Sequence, residues 1–330
     1  MNLAIIGGGS WGSALAVILG RAHAIRFWIY EPDICARLRE TRINDVFLPG
    51  FPLPENVQPT NDFAEALSGA ELVLSVMPSE HCRTLYTQML PHLRPEMLVV
   101  SATKGIELRT LLRTTEVIRQ VVGPKFAPRL GALSGPTFAR EIARGDPAAA
   151  VIASEDQEMA RAVQGAFSSG TLRLYTNTDV AGVEYAASLK NVIAIAAGIC
   201  EGLGLGSNTM AALVTRGLAE ITRLACSLGG RRETLAGLAG MGDLVLTCTG
   251  ALSRNRTLGM ELARGRSLKE IQAASRMVAE GVNTTGAAVE LARRQGVEMP
   301  ITEQMQKVLF EGRSPKDALR ELMERSLKGE

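Results

Sequence analysis

Three glycines near the start of the chain have the spacing of a dinucleotide-binding turn. Gly7, Gly9 and Gly12 fit the pattern G-x-G-x-x-G, after the apolar run Leu3–Ile6 and before the helix-forming run Ser13–Leu19. The first glycine takes backbone angles that a side chain would forbid, the second lets a pyrophosphate approach, and the third lets the helix pack closely. Free amides at the helix start then bind the anion. The motif predicts a dinucleotide site; the alternative is an ordinary glycine-rich turn.

An acidic residue follows the second predicted strand. The run Ile25–Tyr30 predicts this strand, and Glu31 follows it. A carboxylate about 20 residues past the glycines is where the ribose 2′-hydroxyl of a dinucleotide is bound. The same charge would repel the 2′-phosphate of NADP. The alternative is a solvated glutamate at the start of a loop.

Two lysines stand in positions that suggest chemistry. Lys190 lies beside Asn191 in the nearly all-apolar segment Asp179–Cys200, which predicts a buried helix. A lysine is costly to bury unless it is paired or neutral, and such groups are often functional. The alternative is a side chain that extends to the surface. Lys104 follows the apolar run Met97–Thr103, at the carboxyl end of a predicted strand, where parallel sheets bind ligands.

Polar residues in the second half of the chain form a candidate phosphate site. Asp243 follows a glycine-rich turn, and Ser253, Arg254, Asn255 and Arg256 place two cations beside two hydrogen-bonding side chains. Guanidinium groups with such neighbours suit a phosphate. The alternatives are that Asp243 caps the apolar segment after it and that the second cluster is a solvated helix start.

Strands alternate with helices in the first half of the chain. Continuous apolar runs indicate a parallel sheet covered on both faces, with about eight strands. The strands named from the pattern are Leu3–Ile6, Ile25–Tyr30, Glu71–Met77, Met97–Thr103, Leu130–Ser134, Ala148–Ala153 and Thr171–Thr176. The proline-rich segment Phe47–Thr60 is predicted to be a loop. Ser79 and Thr137 are predicted helix caps.

Only helices are predicted after Asn177. Among them, Leu262–Met277, Ala287–Gln295 and Thr302–Phe310 each read as one amphipathic helix. The fold class is therefore α/β: an N-terminal Rossmann-type doubly wound, mostly parallel sheet over residues 1–177 and a C-terminal all-α domain over residues 178–330. We expect the site to lie in the cleft between the domains.

Composition excludes several classes of protein. The net charge of +2 over 330 residues is too small to argue for a nucleic-acid surface. No apolar run reaches the length of a membrane span, and the start of the chain does not resemble a signal peptide. Five cysteines without close pairs indicate reduced thiols in the cytoplasm, and three histidines lack metal-ligand spacing.

Six ordered stretches resemble the bacterial-type soluble NAD(P)-dependent glycerol-3-phosphate dehydrogenases. They are IIGGGSWGSALA, SATKGIE, LSGPTFARE, YAASLKNVIAIAAGICEGLGLGSN, MGDLVLTCTGALSRNR and VAEGVNTT, and MPITE extends them. With the glycine motif, the resemblance implies cofactor contacts from Gly7, Gly9, Ser10, Trp11, Gly12, Tyr30, Glu31, Lys104, Ala139, Arg254, Val278 and Glu280. It implies substrate contacts from Lys104, Gly135, Thr137, Lys190, Asn191, Asp243, Ser253, Arg254 and Asn255.

The resemblance implies reversible hydride transfer between NAD(P)H and dihydroxyacetone phosphate, giving sn-glycerol 3-phosphate for phospholipid synthesis. Lys190 corresponds to the general acid/base of the family and is assigned as the proton donor in the reduction, with Lys104 polarising the carbonyl and Asp243 supporting Lys190. Burial and Lys104 would lower the pKa of Lys190 and Asp243 would oppose this, so the balance stays open. We also expect a small-molecule substrate, a homodimeric assembly and a cytoplasmic location.

One departure bears on the choice of cofactor. The family usually carries arginine at the end of the second strand, where this chain has Glu31 after Tyr30. We therefore expect a preference for NAD, or use of both NAD and NADP with little bias. The alternatives are another two-domain reductase of the 3-hydroxyacid or ketopantoate type, and a non-catalytic nucleotide sensor. The phosphate cluster argues against the first, and the presence of Lys190, Asp243 and Arg254 in one chain argues against the second.

Overall fold

The computed structural model describes residues 1–274 and 279–326. Within them, one eight-stranded sheet has the order β3-β2-β1-β4-β5-β6-β7-β8. The strands are β1 Asn2–Ile6, β2 Ala24–Trp28, β3 Val57–Thr60, β4 Leu72–Ser75, β5 Leu98–Ser101, β6 Arg129–Ser134, β7 Ala148–Ala153 and β8 Leu172–Asn177. All neighbouring strands pair in parallel except β6 and β7. The predicted mostly parallel sheet is confirmed, and strands β1 to β6 end at one common edge.

Both faces of the central strands β1, β4 and β5 are buried, as the continuous apolar runs predict, whereas β8 alternates buried and exposed residues. Along β1, Leu3 and Ile5 belong to the core on one face, whereas Ala4 and Ile6 belong to the core on the other. Successive side chains of a strand point to opposite faces, so a strand covered on both faces needs apolar residues at every position.

The predicted loop over Phe47–Thr60 is wrong at its end, because Val57–Thr60 forms β3. The segment contains Pro59, which lies opposite Phe27 in the parallel register. Proline cannot donate a backbone hydrogen bond, and it is tolerated here because β3 is an edge strand. The prolines of this segment predicted a loop, whereas its last four residues form β3 by pairing with β2.

The helices of the described residues follow in chain order. They are α1 Ser10–Leu19, α2 Pro32–Thr41, α3 Phe63–Leu67, α4 Cys82–Met89, α5 Thr114–Val122, α6 Ala139–Arg144, α7 Gln157–Phe167, α8 Val180–Gly202, α9 Ser207–Ser227, α10 Arg232–Ala236, α11 Asp243–Thr249, α12 Arg254–Ala263, α13 Leu268–Ala273, α14 Glu280–Gln295, α15 Pro300–Phe310 and α16 Pro315–Met323. A π-helical turn, Leu238–Gly242, joins α10 to α11.

Helix α8 forms the centre of the helical part of the chain. The Asp179 carboxylate caps it by accepting a hydrogen bond from the Gly182 amide at 2.8 Å. The helix packs against α9, α11, α12 and α14. Its length and hydropathy would suit a membrane span, but its apolar stretch is 100% buried inside the protein. Burial on all sides explains an apolar sequence without a polar face.

Two helix predictions need correction. The segment Leu262–Met277 is not one helix, because α12 ends at Ala263 and α13 begins at Leu268. Between them Gly265 has a φ of +90°, a left-handed conformation that suits glycine and ends a helix. Residues 275–277 of that prediction lie outside the described residues. Helix α14 begins at Glu280, seven residues before the predicted start (287 − 280).

A buried carboxylate joins helix α8 to the start of helix α5. Glu184 of α8 accepts hydrogen bonds from the Thr114 hydroxyl at 2.6 Å, the Thr115 amide at 2.9 Å and the Arg113 guanidinium at 2.9 Å. These partners form the start of α5, where free amides and the helix dipole favour a negative charge. Because α8 also carries Lys190, the contact fixes that lysine relative to the strands.

Candidate active site

The glycine-rich turn has the geometry that the sequence predicts. Gly7 has a φ of +125°, and a Cβ there would lie 2.5 Å from the Val76 carbonyl oxygen. A Cβ on Gly12 would lie 1.9 Å from the Gly7 carbonyl oxygen. A Cβ on Gly9, by contrast, would meet nothing within 4 Å. Contacts within the protein therefore require glycine at positions 7 and 12, whereas Gly9 leaves open space beside the backbone.

The start of α1 can hold an anion in that space. Gly9 is the N-cap residue, no side chain caps the helix, and its first turn has no acidic residue. Ser10 and Trp11 form this turn, and the buried Nε1 of Trp11 has no hydrogen-bond partner. Unpaired donors at a helix start favour a phosphate. The residues present therefore fit the diphosphate of a dinucleotide.

Lys190 is buried in an ion pair rather than extended to the surface. Its Nζ donates to Asp243 Oδ1 at 2.6 Å and to the Thr247 hydroxyl at 2.7 Å. Burial lowers the pKa of Lys190 to about 7; the Asp243 carboxylate opposes this shift and Lys104 reinforces it. The balance that the sequence left open is therefore decided by burial, and the ammonium can lose its proton near neutral pH.

Asp243 binds two lysines at once. Lys104, in the segment after β5, donates to Asp243 Oδ2 at 2.7 Å and to the Gly135 carbonyl at 3.3 Å. Burial alone would raise the pKa of Asp243, but the two lysines outweigh it and hold the pKa below its usual range. Asp243 is the first residue of α11 but makes no side-chain cap there. The interpretation of Asp243 as only a cap is wrong.

Gly135 and Thr137 lie in the turn after β6, next to Lys104. Gly135 has a φ of +151°, and its carbonyl also accepts a hydrogen bond from the Thr137 hydroxyl at 3.1 Å. The N-cap residue of α6 is Phe138, so the prediction that Thr137 caps this helix is wrong. Ala139 is the first residue of α6. The carboxyl ends of β5 and β6 thus bring these residues together.

The cluster Ser253–Arg256 divides into capping and exposed residues. Ser253 caps α12 by accepting a hydrogen bond from the Arg256 amide at 3.2 Å. Arg256 forms an ion pair with Glu201, so it is committed to the protein. Arg254 is exposed and makes no hydrogen bond or ion pair with any described residue. Of the two predicted cations, Arg254 is the one that is available to a ligand.

Asn255 connects this cluster to Asn191, the neighbour of Lys190 in α8. Its Nδ2 donates to Asn191 Oδ1 at 3.0 Å, and its Oδ1 accepts a hydrogen bond from the Gly281 amide at 2.9 Å. Asn191 is the neighbour of Lys190 in α8, and Gly281 lies in the first turn of α14. The two amide side chains therefore hold α8, α12 and α14 together beside the site.

Glu280, the first residue of α14, contacts the segment that follows β4. Its carboxylate accepts hydrogen bonds from the Ser79 hydroxyl at 2.9 Å and the Ser79 amide at 3.3 Å. Burial raises the pKa of Glu280, although Ser79 opposes this. Ser79 begins a short 3₁₀ turn, so the prediction that its side chain caps a helix is wrong. Val278 lies outside the described residues.

Tyr30 and Glu31 follow the carboxyl end of β2, beside the glycine-rich turn after β1. Tyr30 is exposed. Glu31 is the N-cap residue of α2, but its side chain makes no capping hydrogen bond. No described residue forms an ion pair with Glu31. The carboxylate is therefore available at the end of the strand.

Thr247 is a site residue that the sequence analysis missed. Its hydroxyl accepts from Lys190 and donates to the Asp243 carbonyl at 2.5 Å. It lies four residues after Asp243, on the same face of α11. Once Asp243 was a candidate, this helical spacing was the signal that could have identified Thr247.

The glycine-rich turn after β1 and Lys104 of the lysine–aspartate–lysine cluster, after β5, lie at the carboxyl ends of parallel strands in one sheet, where such sheets bind ligands. This arrangement defines a two-domain, dinucleotide-dependent oxidoreductase. Family models described as the N-terminus and the C-terminus of NAD-dependent glycerol-3-phosphate dehydrogenase match residues 2–160 and 179–320. The chain belongs to the NAD-dependent glycerol-3-phosphate dehydrogenase family.

Individual relatives agree with this assignment. The chain is 61% identical over 327 residues to the glycerol-3-phosphate dehydrogenase (NAD(P)+) of Koribacter versatilis, covering 98% of this chain and 97% of the relative. It is 51% identical to that of Citrifermentans bemidjiense, covering 100% and 98%. The crystal structure of glycerol-3-phosphate dehydrogenase from Coxiella burnetii superimposes with a TM-score of 0.95 at 39% identity, covering 98% of this chain and 99% of that one. Membership of this family excludes the ketopantoate and 3-hydroxyacid alternatives.

Proposed function

We propose that this chain catalyses the NAD(P)-dependent, reversible conversion of dihydroxyacetone phosphate into sn-glycerol 3-phosphate. The observation that carries the proposal is the buried cluster of Lys104, Asp243 and Lys190. Such a cluster can exchange a proton with a substrate oxygen, which a non-catalytic nucleotide sensor has no need to do. The product is a precursor for phospholipid synthesis, and we place the reaction in the cytoplasm.

Each lysine has a distinct role in the proposal. Lys190 donates a proton to the carbonyl oxygen during reduction and accepts it during oxidation. Lys104 polarises the same carbonyl with its positive charge. Asp243 holds both ammonium groups in position through one oxygen each. When bound, the nicotinamide supplies the hydride in one direction and accepts it in the other.

The remaining predicted residues bind and orient the two ligands. We assign the dinucleotide to Gly7, Gly9, Ser10, Trp11, Gly12, Tyr30, Glu31, Lys104, Ala139, Arg254, Val278 and Glu280. We assign the substrate to Lys104, Gly135, Thr137, Lys190, Asn191, Asp243, Ser253, Arg254 and Asn255, with Arg254 on its phosphate. The division of the chain into residues 1–177 and 178–330, with the site between them, and a homodimeric assembly are parts of the same proposal.

Steady-state reduction of dihydroxyacetone phosphate tests the function directly. NADH and NADPH are compared in parallel by the loss of absorbance of the reduced nicotinamide. We expect turnover with at least one of them, and with NADH at least as efficiently as with NADPH. The absence of turnover with both would contradict the proposed reaction.

Replacing Glu31 with arginine is expected to shift the preference towards NADPH. The carboxylate that repels a 2′-phosphate is removed, and a guanidinium that can bind it is added. A charge-assisted contact of about 1.5–3 kcal/mol predicts a change of about tenfold or more in the ratio of kcat/KM for NADPH to kcat/KM for NADH.

The matched control for Glu31→Arg is Glu40→Arg, which makes the same charge change in the last turn of α2. Glu40 is exposed and forms no ion pair with a described residue. We expect its cofactor ratio to equal that of the unmodified protein. A cofactor ratio that is the same in both variants would show that the carboxylate at the end of β2 does not select the cofactor.

A further inference from the structure

A cavity of about 540 Å³ lies at the edge of the sheet opposite the catalytic lysines. Because β7 runs antiparallel to β6, and β8 runs parallel to β7, strand β8 ends at this opposite edge. The walls come from α7, from the segment Thr176–Thr178 that leads into α8, and from the start of α10. None of the residues assigned to the cofactor or the substrate lines the cavity.

The cavity carries charges that the protein does not neutralise. Arg161 of α7 is exposed and forms no hydrogen bond or ion pair with a described residue, and the same is true of the Glu233 carboxylate of α10. The two side chains line one cavity without pairing with each other. Unpaired charges of both signs, facing one space, provide contacts for a ligand that carries both an anion and hydrogen-bond donors.

A second guanidinium is fixed in place at the same cavity. Arg231 donates to Asn177 Oδ1 at 3.0 Å and to the Thr178 hydroxyl at 2.8 Å, and its Nε forms an ion pair with the buried Asp179 carboxylate at 3.8 Å. These bonds hold the side chain in one geometry, which reduces the entropy that a ligand would have to remove. Arg161 and Arg231 together suit a phosphate group, whereas Glu233 and the amide of Gln157 suit hydroxyl groups.

We propose that this cavity binds a small phosphorylated sugar and that its occupancy changes the turnover of the enzyme. One wall belongs to the sheet and the other to α10, which continues through the π-helical turn Leu238–Gly242 to Asp243. A ligand that binds both walls therefore biases the position of the segment that carries the catalytic aspartate. This coupling rests on the proposed function, whereas the binding itself does not.

Calorimetric titration with glucose 6-phosphate, and with inorganic phosphate as a headgroup control, tests the binding. We expect saturable binding of glucose 6-phosphate that is weakened about tenfold or more in Arg161→Gln, because one charge-assisted contact is lost. The matched control is Arg21→Gln, which removes an exposed arginine outside the cavity. Equal affinity in Arg161→Gln and the unmodified protein would overturn the site, as would binding that is lost only in Arg254→Ala. Tighter binding of inorganic phosphate than of glucose 6-phosphate would overturn the sugar assignment, and the absence of saturable binding of glucose 6-phosphate would overturn the proposal.

Kinetics then test the coupling. In the unmodified enzyme, glucose 6-phosphate is expected to change kcat at saturating dihydroxyacetone phosphate, and Arg161→Gln is expected to lose this response while retaining its basal rate. A probe that raises only the KM for dihydroxyacetone phosphate would be competing at the catalytic site, which would overturn the coupling. Failure of the basal reaction would contradict the proposed function. The calorimetric titration would then still decide whether the cavity binds the ligand.

Asn44 is buried beneath the glycine-rich turn. Its Nδ2 donates to the Gly8 carbonyl at 2.8 Å and to the Ser13 hydroxyl at 2.9 Å, and its Oδ1 accepts a hydrogen bond from the Phe47 amide at 3.1 Å. In a planar trans peptide, the carbonyl of Gly8 and the amide of Gly9 point in opposite directions. By binding the carbonyl, Asn44 directs the Gly9 amide away from itself.

We infer that Asn44 is a positioning residue for the dinucleotide diphosphate, which rests on the proposed cofactor site. Asn44→Asp keeps the size and the acceptor for Phe47 but removes both donated hydrogen bonds. The Kd of NADH, measured by fluorescence titration, is expected to rise about tenfold, with kcat and the KM for dihydroxyacetone phosphate little changed.

Asn56→Asp is the control for Asn44→Asp, because it removes a side-chain donor to a backbone carbonyl, that of Gly20, outside the glycine motif. Asn44→Ala provides a second, uncharged test of the same lost donors. Unchanged NADH affinity in both Asn44 variants would overturn the assignment. Failure of the unmodified protein to bind NADH would instead contradict the cofactor site itself.

Discussion

Replacing Lys190 with methionine is expected to lower kcat for the reduction of dihydroxyacetone phosphate by about 10²–10⁴-fold, the usual contribution of a positioned general acid. Methionine fills a similar volume, so the packing of α8 is preserved. Asp243 keeps its second partner Lys104 at 2.7 Å, so its charge is not left unpaired. Binding of NADH, measured by fluorescence titration, is expected to stay close to that of the unmodified protein.

The pH dependence of the rate follows from the pKa of Lys190, which burial lowers to about 7. Reduction needs the protonated lysine, so kcat/KM for dihydroxyacetone phosphate is expected to fall as the pH rises through about 7. Oxidation of sn-glycerol 3-phosphate needs the neutral lysine, so its kcat/KM is expected to rise over the same interval. In Lys190→Met both profiles lose this transition.

The control for Lys190→Met is Lys269→Met, which removes an exposed lysine of α13. We expect this variant to retain the rate and the pH profile of the unmodified protein. If Lys190→Met turns over normally while it binds cofactor, Lys190 is not the proton donor. Loss of NADH binding together with turnover would assign Lys190 a structural role instead.

The sequence could identify Lys190 because it is the one cation in the nearly all-apolar segment Asp179–Cys200. A polar residue in such a segment is conspicuous whatever its partner is, since its burial needs a compensating charge. The partner itself could not be derived from local pattern. Asp243 lies 53 residues further along the chain and meets Lys190 only because α11 packs against α8. Lys104 reaches the same carboxylate from the other domain.

The phosphate cluster shows the limit of reading residue types without geometry. Arg254 and Arg256 are equivalent in the sequence, and both are cations beside hydrogen-bonding residues. Both lie in α12, and residues two positions apart in a helix point to different faces. Arg256 therefore pairs with Glu201, whereas Arg254 is left without a partner among the described residues. Which of the two arginines is left without a partner among the described residues depends on the position of α12 against α8.

Replacing Arg254 with alanine is expected to lower kcat/KM for dihydroxyacetone phosphate by about 10–150-fold, which corresponds to about 1.5–3 kcal/mol for a charge-assisted hydrogen bond. The guanidinium makes no hydrogen bond or ion pair with a described residue, and the Glu280 carboxylate acts on it only through its charge, so its removal breaks no direct polar contact among the described residues. Stability is therefore expected to change little, which a thermal melt can verify. Most of the effect should appear in the KM for the phosphorylated substrate.

Comparing dihydroxyacetone phosphate with dihydroxyacetone, which lacks the phosphate, distinguishes a phosphate contact of Arg254 from its other roles. If Arg254 binds the phosphate, its removal should lower kcat/KM for dihydroxyacetone phosphate but leave the much lower kcat/KM for dihydroxyacetone nearly unchanged, because the interaction requires both partners. An equal loss with both substrates would contradict the phosphate assignment. An equal loss combined with a raised KM for NADH would show that Arg254 contacts the cofactor alone. The comparison of two enzymes with two substrates therefore decides which ligand the guanidinium binds.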